Sequence, residues 1–192
     1  MDKIVKSMIA MALVIFALPL SAQLSQHGLV LNGGTGRVDA KIDRSAAEWT
    51  EIDTKTALSV GYRLRFKEPL PKSIHFDLDV NAGANFLKTI PVGYYGSSST
   101  QYYYASIAGM TNYSIIKNLS AGLGLEPMYF FRQSGEKSQN KFDIPVVAKI
   151  AYNLKFVEIG IYGKYGLTNI METRYLKSGK FRDIQLSLFI PF

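Results

Sequence analysis

The feature that most constrains this chain is a strict alternation of apolar and polar residues from Ile74 to Phe86. Every second residue in this stretch is apolar or small, and Asp77 and Asp79 lie among the residues between them. Successive side chains of a β-strand point to opposite faces, whereas a helical period of about 3.6 residues would mix Asp77 with Val80 on one face. The pattern therefore predicts a long β-strand with one apolar and one polar face.

The same alternation recurs along the chain and predicts eight strands, an even number as closed bacterial barrels require. Pro127 and Pro145 fall inside two of them and predict bulges or local breaks, because proline cannot donate to the ladder. The predicted strands lie near residues 28–38, 57–66, 73–86, 103–115, 122–132, 141–152, 157–167 and 183–192.

The predicted connections alternate between short and long. Short turns are expected at 68–71, 117–118 and 153–154, and longer loops at about 39–54, 88–100, 133–140 and 169–180. Short turns at one end and long loops at the other are typical of outer-membrane barrels. The fold class predicted is therefore all-β, an eight-stranded antiparallel up-and-down transmembrane β-barrel.

The aromatic residues on the apolar faces indicate that these faces point outward to lipid. They sort into two girdles, and aromatic side chains prefer the two membrane–water interfaces. A secreted soluble barrel that binds an apolar ligand is the alternative, with its apolar faces turned inward. The girdle near the short turns holds Phe66, Phe76, Tyr113, Tyr152 and Phe192, and the girdle near the long loops holds Phe86, Tyr103, Tyr129, Phe131, Phe142 and Tyr165.

The polar faces carry charges of both signs in mid-strand, which predicts a lumen filled by a charge network. The lumen of an eight-stranded barrel is just wide enough for side chains to fill. Asp77 and Asp79 are expected to pair with Arg63 and Arg65 across a hairpin, since buried charges need partners. The predicted network comprises Arg63, Arg65, His75, Asp77, Asp79, Glu126, Asp143, Lys149, Glu158, Lys164 and Asp183, with Arg132 on the same polar face.

Residues 1–22 read as a cleavable secretory signal. Lys3 and Lys6 form the positive region, an apolar run follows from Met8 to Leu18, and Ser21-Ala22 offers a small-residue cleavage site. The apolar run is shorter than the ~20 residues that span a bilayer. Residues 23–192 are then the exported barrel domain, and the expected location is the bacterial outer membrane.

Several kinds of chemistry are not expected. The chain has no Cys, which excludes disulfides, zinc–thiolate sites and a cysteine nucleophile. Its net charge of +7 is scattered among charges of both signs, so no nucleic-acid partner is predicted. His75 lies two residues from Asp77, but no serine is convincingly placed beside it, and we predict no enzyme activity. No metal or cofactor site is predicted either.

The C-terminal strand carries an apolar residue at every second position and ends on an aromatic one. Together with the barrel pattern, it makes the whole of residues 23–192 resemble the small outer-membrane barrel families such as OmpX and the OmpA transmembrane domain. The resemblance implies periplasmic chaperones and the barrel-assembly machinery as partners during biogenesis. It also implies an assembly signal for insertion into the membrane, formed by Ile184, Leu186, Leu188, Ile190 and Phe192. Pro191 is a departure from the family pattern, and we expect it to disturb the last hydrogen bonds of the strand.

The predicted function is a structural or surface-interaction role in the outer membrane, with lipid and an unidentified extracellular loop partner as its contacts. A Tyr/Ser/Gly-rich stretch at 91–104 and Trp49 are the loop features that such a partner could contact. Three alternatives remain open: a narrow channel for small solutes, a lipid-modifying barrel enzyme, and the secreted soluble barrel that binds a ligand.

Overall fold

The computed structural model describes residues 23–42, 50–68, 73–91, 98–134, 140–170 and 176–192. The predicted signal segment, Trp49 and residues 92–97 of the Tyr/Ser/Gly-rich stretch lie outside the described residues. The strands are β1 (Gln23–Ile42), β2 (Thr50–Glu68), β3 (Ile74–Pro91), β4 (Ser98–Ile116), β5 in two segments (Leu119–Leu125 and Met128–Ser134), β6 in two segments (Phe142–Asp143 and Val146–Leu154), β7 (Val157–Tyr165) and β8 (Leu176–Pro191).

The eight strands form a closed antiparallel ring. Each strand pairs with the next along the chain, and β1 pairs with β8 to close the ring, with Gly28 opposite Pro191 and Val38 opposite Phe181. A closed ring leaves no unpaired sheet edge. The predicted eight-stranded up-and-down β-barrel is therefore confirmed.

The first four strands are longer than the alternation predicted. They contain 20, 19, 18 and 19 residues, so β1 to β4 occupy much of the predicted loops at 39–54 and 88–100. β8 likewise begins at Leu176, inside the predicted loop at 169–180. The loop lengths were overestimated because the ladder continues through polar residues such as Thr54 and Ser99, where the apolar alternation stops.

The two prolines interrupt their strands, as the sequence predicted. Pro127 separates the two segments of β5, and Pro145 separates those of β6. The backbone stays satisfied there, since the Glu126 amide donates to the Pro145 carbonyl at 3.0 Å and the Ile107 amide donates to the Pro127 carbonyl at 3.1 Å.

One short turn is where it was predicted and another is not. Lys117-Asn118 forms the turn between β4 and β5. The turn between β6 and β7 lies at Lys155-Phe156 and not at 153–154, because Asn153 and Leu154 still pair with β7. Lys155 adopts a positive φ of 28°, which is the left-handed conformation that such a tight turn uses.

The barrel is polar inside and apolar outside. Leu123 and Ile184 are each 67% exposed on the outer face, while charged and amide side chains are buried in the lumen. A large apolar outer surface is the arrangement of a transmembrane β-barrel, and it is the reverse of a soluble ligand-binding barrel. Within the described ranges, the structure has no helix that is long and apolar enough to span a membrane.

Pro191 does not break the last hydrogen bonds, contrary to expectation. It lies opposite Gly28, and the amide of Phe192 donates to the His27 carbonyl at 2.9 Å. His27, predicted to precede the first strand, lies within β1, where its ring stacks on Tyr62 and meets the edge of Phe192. The proline ring occupies a position that needs no donor, so the ladder continues past it.

Candidate functional site

The candidate site is the lumen. All eleven residues of the predicted charge network are buried, and they divide into several clusters rather than forming one. We call the end of the barrel with the short turns the turn end, and the opposite end the loop end.

The turn-end cluster is built on two bidentate arginine–carboxylate pairs between β2 and β3. Arg63 Nε lies 2.7 Å from Asp79 Oδ1, and Arg65 Nε lies 2.7 Å from Asp77 Oδ1. Each guanidinium donates a second hydrogen bond to the other oxygen of the same carboxylate. These pairs join the residues that the sequence predicted, and the strand register places them directly opposite each other.

The same cluster crosses the lumen. Lys149 Nζ on β6 lies 2.8 Å from Asp77 Oδ2 on β3, and Arg63 Nη1 on β2 lies 3.1 Å from Glu158 Oε1 on β7. Arg65 Nη2 also reaches Glu158 at 2.8 Å. Three cations thus face three carboxylates, so the formal charges of the cluster balance. Every ion except Asp79, whose ion pair among the described residues is with Arg63, has more than one partner of opposite sign.

His75 lies at the edge of the turn-end cluster. Its Nε2 is buried without a hydrogen-bond partner and lies 3.9 Å from Asp77 Oδ1. It borders a cavity of about 220 Å³ at the turn-end mouth, which Lys67, Lys117 and Glu158 also line. Among the residues that the structure describes, no group of His, Cys, Asp and Glu side chains is arranged to hold a metal ion.

The middle cluster surrounds Glu126. Its carboxylate accepts hydrogen bonds from Ser106 Oγ at 2.7 Å, Lys164 Nζ at 2.8 Å and Tyr162 Oη at 3.0 Å. Glu126 follows the first segment of β5, where Pro127 interrupts the strand. The three donors come from β4 and β7, so this cluster also connects separate parts of the wall.

Asp143 is buried and forms no ion pair with any cation among the described residues. It accepts backbone hydrogen bonds from Ile144 at 2.8 Å and Thr168 at 3.0 Å. Backbone amide dipoles therefore stabilise the charge of Asp143. Because of Asp143, carboxylates outnumber cations by one in the described part of the lumen.

Asp183 pairs with a lysine that the sequence analysis missed. Lys55 Nζ lies 2.5 Å from Asp183 Oδ1, and the ammonium lies 4.0 Å from the centre of the Phe181 ring. Lys55 was overlooked because it lies between the predicted first long loop, which ends at about residue 54, and the predicted strand that begins at residue 57. Its inward position was nevertheless readable from Ala57 and Ser59, which follow on the same face of β2.

Arg132 does not lie in the lumen as expected. The register shifts between Tyr103, which faces Arg132, and Tyr104, which faces Phe130, so Phe131 is an extra residue in β5. Such a bulge reverses the inward–outward parity of the residues after it. Arg132 is consequently exposed on the outer side, with its guanidinium 5.9 Å from the Tyr103 ring.

A second missed feature is an apolar cap at the loop end of the lumen. Tyr102 packs edge-to-face against Phe130 at 5.8 Å and Phe181 at 5.5 Å, and Phe130 contacts Phe181 at 6.0 Å. The sequence did indicate that these rings point inward, because they fall on the opposite face of their strands from the girdle aromatics. The cap consists of Val38, Leu87, Tyr102, Tyr104, Met128, Phe130, Ile170 and Phe181.

Several solved structures are similar to this chain in fold. Ail, the attachment invasion locus protein of Yersinia pestis, is 14% identical with a TM-score of 0.47, and the match covers 88% of this chain and 100% of Ail. OprG, an outer membrane protein of Pseudomonas aeruginosa, is 12% identical with a TM-score of 0.41, over 89% of this chain and 96% of OprG. A de novo designed transmembrane β-barrel is 11% identical with a TM-score of 0.41, over 88% of this chain and 99% of the design.

No family model matches the sequence, and no curated protein matches it. At identities this low the likeness to solved structures concerns the fold alone. The barrel architecture itself rests on the strand register described above.

Proposed function

We propose that this chain is a non-conducting integral protein of the bacterial outer membrane with a structural or surface-interaction role. The observation that carries the proposal is the filled lumen. Ion pairs bridge strands on different sides of the ring at the turn end, Glu126 joins three donors in the middle, and aromatic rings close the loop end. In this role, the barrel anchors the protein in the outer membrane, and the loops are presented at the cell surface.

A narrow solute channel is disfavoured by the bridging pairs. The Lys149–Asp77 and Arg63–Glu158 contacts cross the space through which a solute would pass. Opening that path would leave buried charges without partners, which costs several kcal/mol for each charge. The closed lumen is accordingly a low-energy state and not a gate that opens readily.

The proposed location follows from the outer surface together with the ends of the chain. The apolar outer face needs a lipid environment. Residues 1–22 are proposed to direct export and to be cleaved. Ile184, Leu186 and Phe192 lie exposed on the outer face of β8 or at its end, where the barrel-assembly machinery would meet them after delivery by periplasmic chaperones.

The proposal assigns no catalytic role to the chain. His75 lies beside Asp77 at the edge of the lumen cluster, and nucleophilic catalysis requires a hydroxyl or thiol within hydrogen-bond distance of such a base. Mass spectra of lipid A from cells with and without the protein test this directly. A mass change that depends on the protein would establish a lipid-modifying enzyme instead.

Planar-bilayer recording tests the closed lumen. We expect the purified wild-type protein, shown to be folded by its heat-dependent gel mobility, to insert without stable conductance steps. As a positive control, Tyr102→Ala combined with Lys149→Ala and Arg63→Ala removes parts of the cap and of the bridging pairs and should produce openings. The matched variant Leu123→Ala, on the lipid face, should stay silent. Stable openings of the wild-type protein would refute the proposal.

A further inference from the structure

The outer face of β1, β8, β7 and β6 bears a groove of about 540 Å³. The strand register shows that two rows of residues line the groove, and each row runs across these four strands. The row nearer the loop end is Arg37, Arg182, Tyr165 and Val146, and the adjacent row nearer the turn end is Thr35, Ile184, Gly163 and Ala148.

Two arginines lie side by side at the loop end of this groove. Arg37 and Arg182 are direct register partners on the outer face of β1 and β8, an arrangement that is unfavourable for like charges. Asp39 forms an ion pair with Arg182 and offsets part of this repulsion. Lys180, the register partner of Asp39, adds a further cation, so these four residues carry a net charge of +2.

Both guanidinium groups keep donors that the protein does not use. Arg37 is exposed, and among the described residues no carboxylate lies within ion-pair distance of it. Arg182 Nε is buried without a hydrogen-bond acceptor, and Arg182 Nη2 donates to both Asp39 and Tyr165. An acceptor with several oxygens, placed between the two side chains, would accept from Arg37 and, after a rotation of the Arg182 side chain, from its Nε, and it would offset the repulsion.

The depth of the arginines in the membrane follows from Tyr165. The Arg182 guanidinium lies 4.6 Å from the centre of the Tyr165 ring, and Tyr165 belongs to the loop-end aromatic girdle. Aromatic girdles mark the membrane–water interface, where lipid headgroups lie. The arginines therefore stand at the headgroup level of the outer leaflet.

The floor of the groove is small and apolar. Gly163 and Ala148 are register partners there, and a Cβ built on Gly163 would meet no atom closer than 3.9 Å. Ile184 is 67% exposed beside them. A hydrocarbon chain fits such a channel between larger side chains, below a headgroup held by the arginines.

A second groove on the outer face lacks the charges. It has a volume of about 520 Å³ near the turn end and is lined by Tyr113, Leu123 and Ile150 among others. Its one charged lining residue, Lys149, turns into the lumen and bonds Asp77. Of these two grooves in the described part of the chain, only the loop-end groove combines an apolar floor with outward guanidinium groups.

We propose that the loop-end groove binds a glycolipid of the outer leaflet that carries phosphate monoesters. The phosphate accepts hydrogen bonds from Arg37 and Arg182, since guanidinium groups bind phosphate oxygens in a bidentate geometry. An acyl chain lies over Gly163 and Ala148. This inference rests on the proposed outer-membrane location, but it does not depend on whether the lumen conducts.

The test titrates the folded protein in detergent micelles with diphosphorylated lipid A, with dephosphorylated lipid A and with phosphatidylglycerol, and counts bound lipids by native mass spectrometry. Diphosphorylated lipid A should bind about tenfold or more tightly than either of the others. Arg37→Gln and Arg182→Gln should each lower its affinity about tenfold, because each removes charge-assisted hydrogen bonds. Gly163→Val, which fills the groove floor, should weaken both forms of lipid A.

Arg132→Gln is the matched control, because Arg132 is also an exposed arginine beside a girdle tyrosine but lies away from the groove. It should leave the affinity unchanged, and heat-dependent gel mobility checks that every variant is folded. Equal binding of phosphorylated and dephosphorylated lipid A by the wild-type protein would overturn the proposal without any variant. An equal loss in Arg132→Gln and Arg182→Gln would overturn the assignment to this groove. Conductance decides the proposed function separately.

Discussion

Lys55 Nζ and Asp183 Oδ1 lie 2.5 Å apart in the lumen, although 128 residues separate them along the chain. Lys55 belongs to β2 and Asp183 to β8, and both strands pair with β1. The ion pair therefore spans β1 on the lumen side and joins its two neighbouring strands. Gly36 of β1 makes room for it, since a Cβ there would come within 2.3 Å of Asp183 Oδ1. The pair therefore links the second strand to the last strand, next to the β1–β8 pairing that closes the ring.

Replacing Lys55 with Met should lower the free energy of unfolding by about 3–5 kcal/mol, because it leaves Asp183 buried without its cation. Urea unfolding in detergent micelles, followed by gel mobility, measures the change. The double variant Lys55→Met with Asp183→Leu should recover most of the loss, since an apolar pair needs no compensation. If the double variant is no more stable than Lys55→Met, the loss comes from packing and not from the unpaired charge.

Asp77 is the carboxylate on which the turn-end cluster depends. It lies within 3.5 Å of nitrogen atoms of Arg63, Arg65 and Lys149. Asp77→Asn should lower the free energy of unfolding by about 3 kcal/mol or more, because three buried cations would share two carboxylates. Asp39→Asn is the control, and it should cost about 1 kcal/mol or less because its ion pair with Arg182 is partly exposed. Similar losses in both variants would contradict this account.

Two glycines should respond oppositely to alanine. A Cβ at Gly83 would come within 2.5 Å of the Tyr104 ring and 2.6 Å of the Leu58 carbonyl, whereas a Cβ at Gly163 has open space around it. Gly83→Ala should therefore cost about 1–3 kcal/mol through overpacking beneath the apolar cap. Gly163→Ala should be neutral or slightly stabilising, since glycine weakens a strand. Urea midpoints for the pair give the comparison, and a larger loss at Gly163 would refute it.

The absence of Cys allows single cysteines to report which end of the barrel is outside. Ser134 and Asn118 are exposed near the loop end and the turn end, and Ser187 is buried in the lumen. On intact cells, a membrane-impermeant maleimide should label Ser134→Cys and leave Asn118→Cys unlabelled. Ser187→Cys should react only after unfolding. Labelling of Asn118→Cys in preference to Ser134→Cys would invert the orientation.

The barrel and most of its charged lumen could be predicted because one physical rule governs both. A strand between lipid and a narrow lumen must alternate, so the parity of Asp77 or Lys149 predicts its side of the wall. Pairing across a hairpin followed from the same rule, as Arg63 and Arg65 lie opposite Asp79 and Asp77.

The features that could not be predicted lie where the alternation is interrupted or where it stops. A single extra residue at Phe131 reverses the parity of Arg132, and bulges carry no reliable local signal. Lys55 lies beyond the apolar alternation, where strands continue on polar residues. The parity of Tyr102 and Phe130 places these rings inside, but only the closed barrel shows that they meet Phe181 there.

Isolation of outer membranes, followed by gel electrophoresis with and without boiling, tests whether the apolar face of a closed barrel lies in the outer membrane. We predict a band in the outer-membrane fraction whose mobility shifts on heating, because the closed ring resists detergent until it is melted. A band in the soluble fraction that shows no heat-dependent shift would contradict both the location and the outward apolar face.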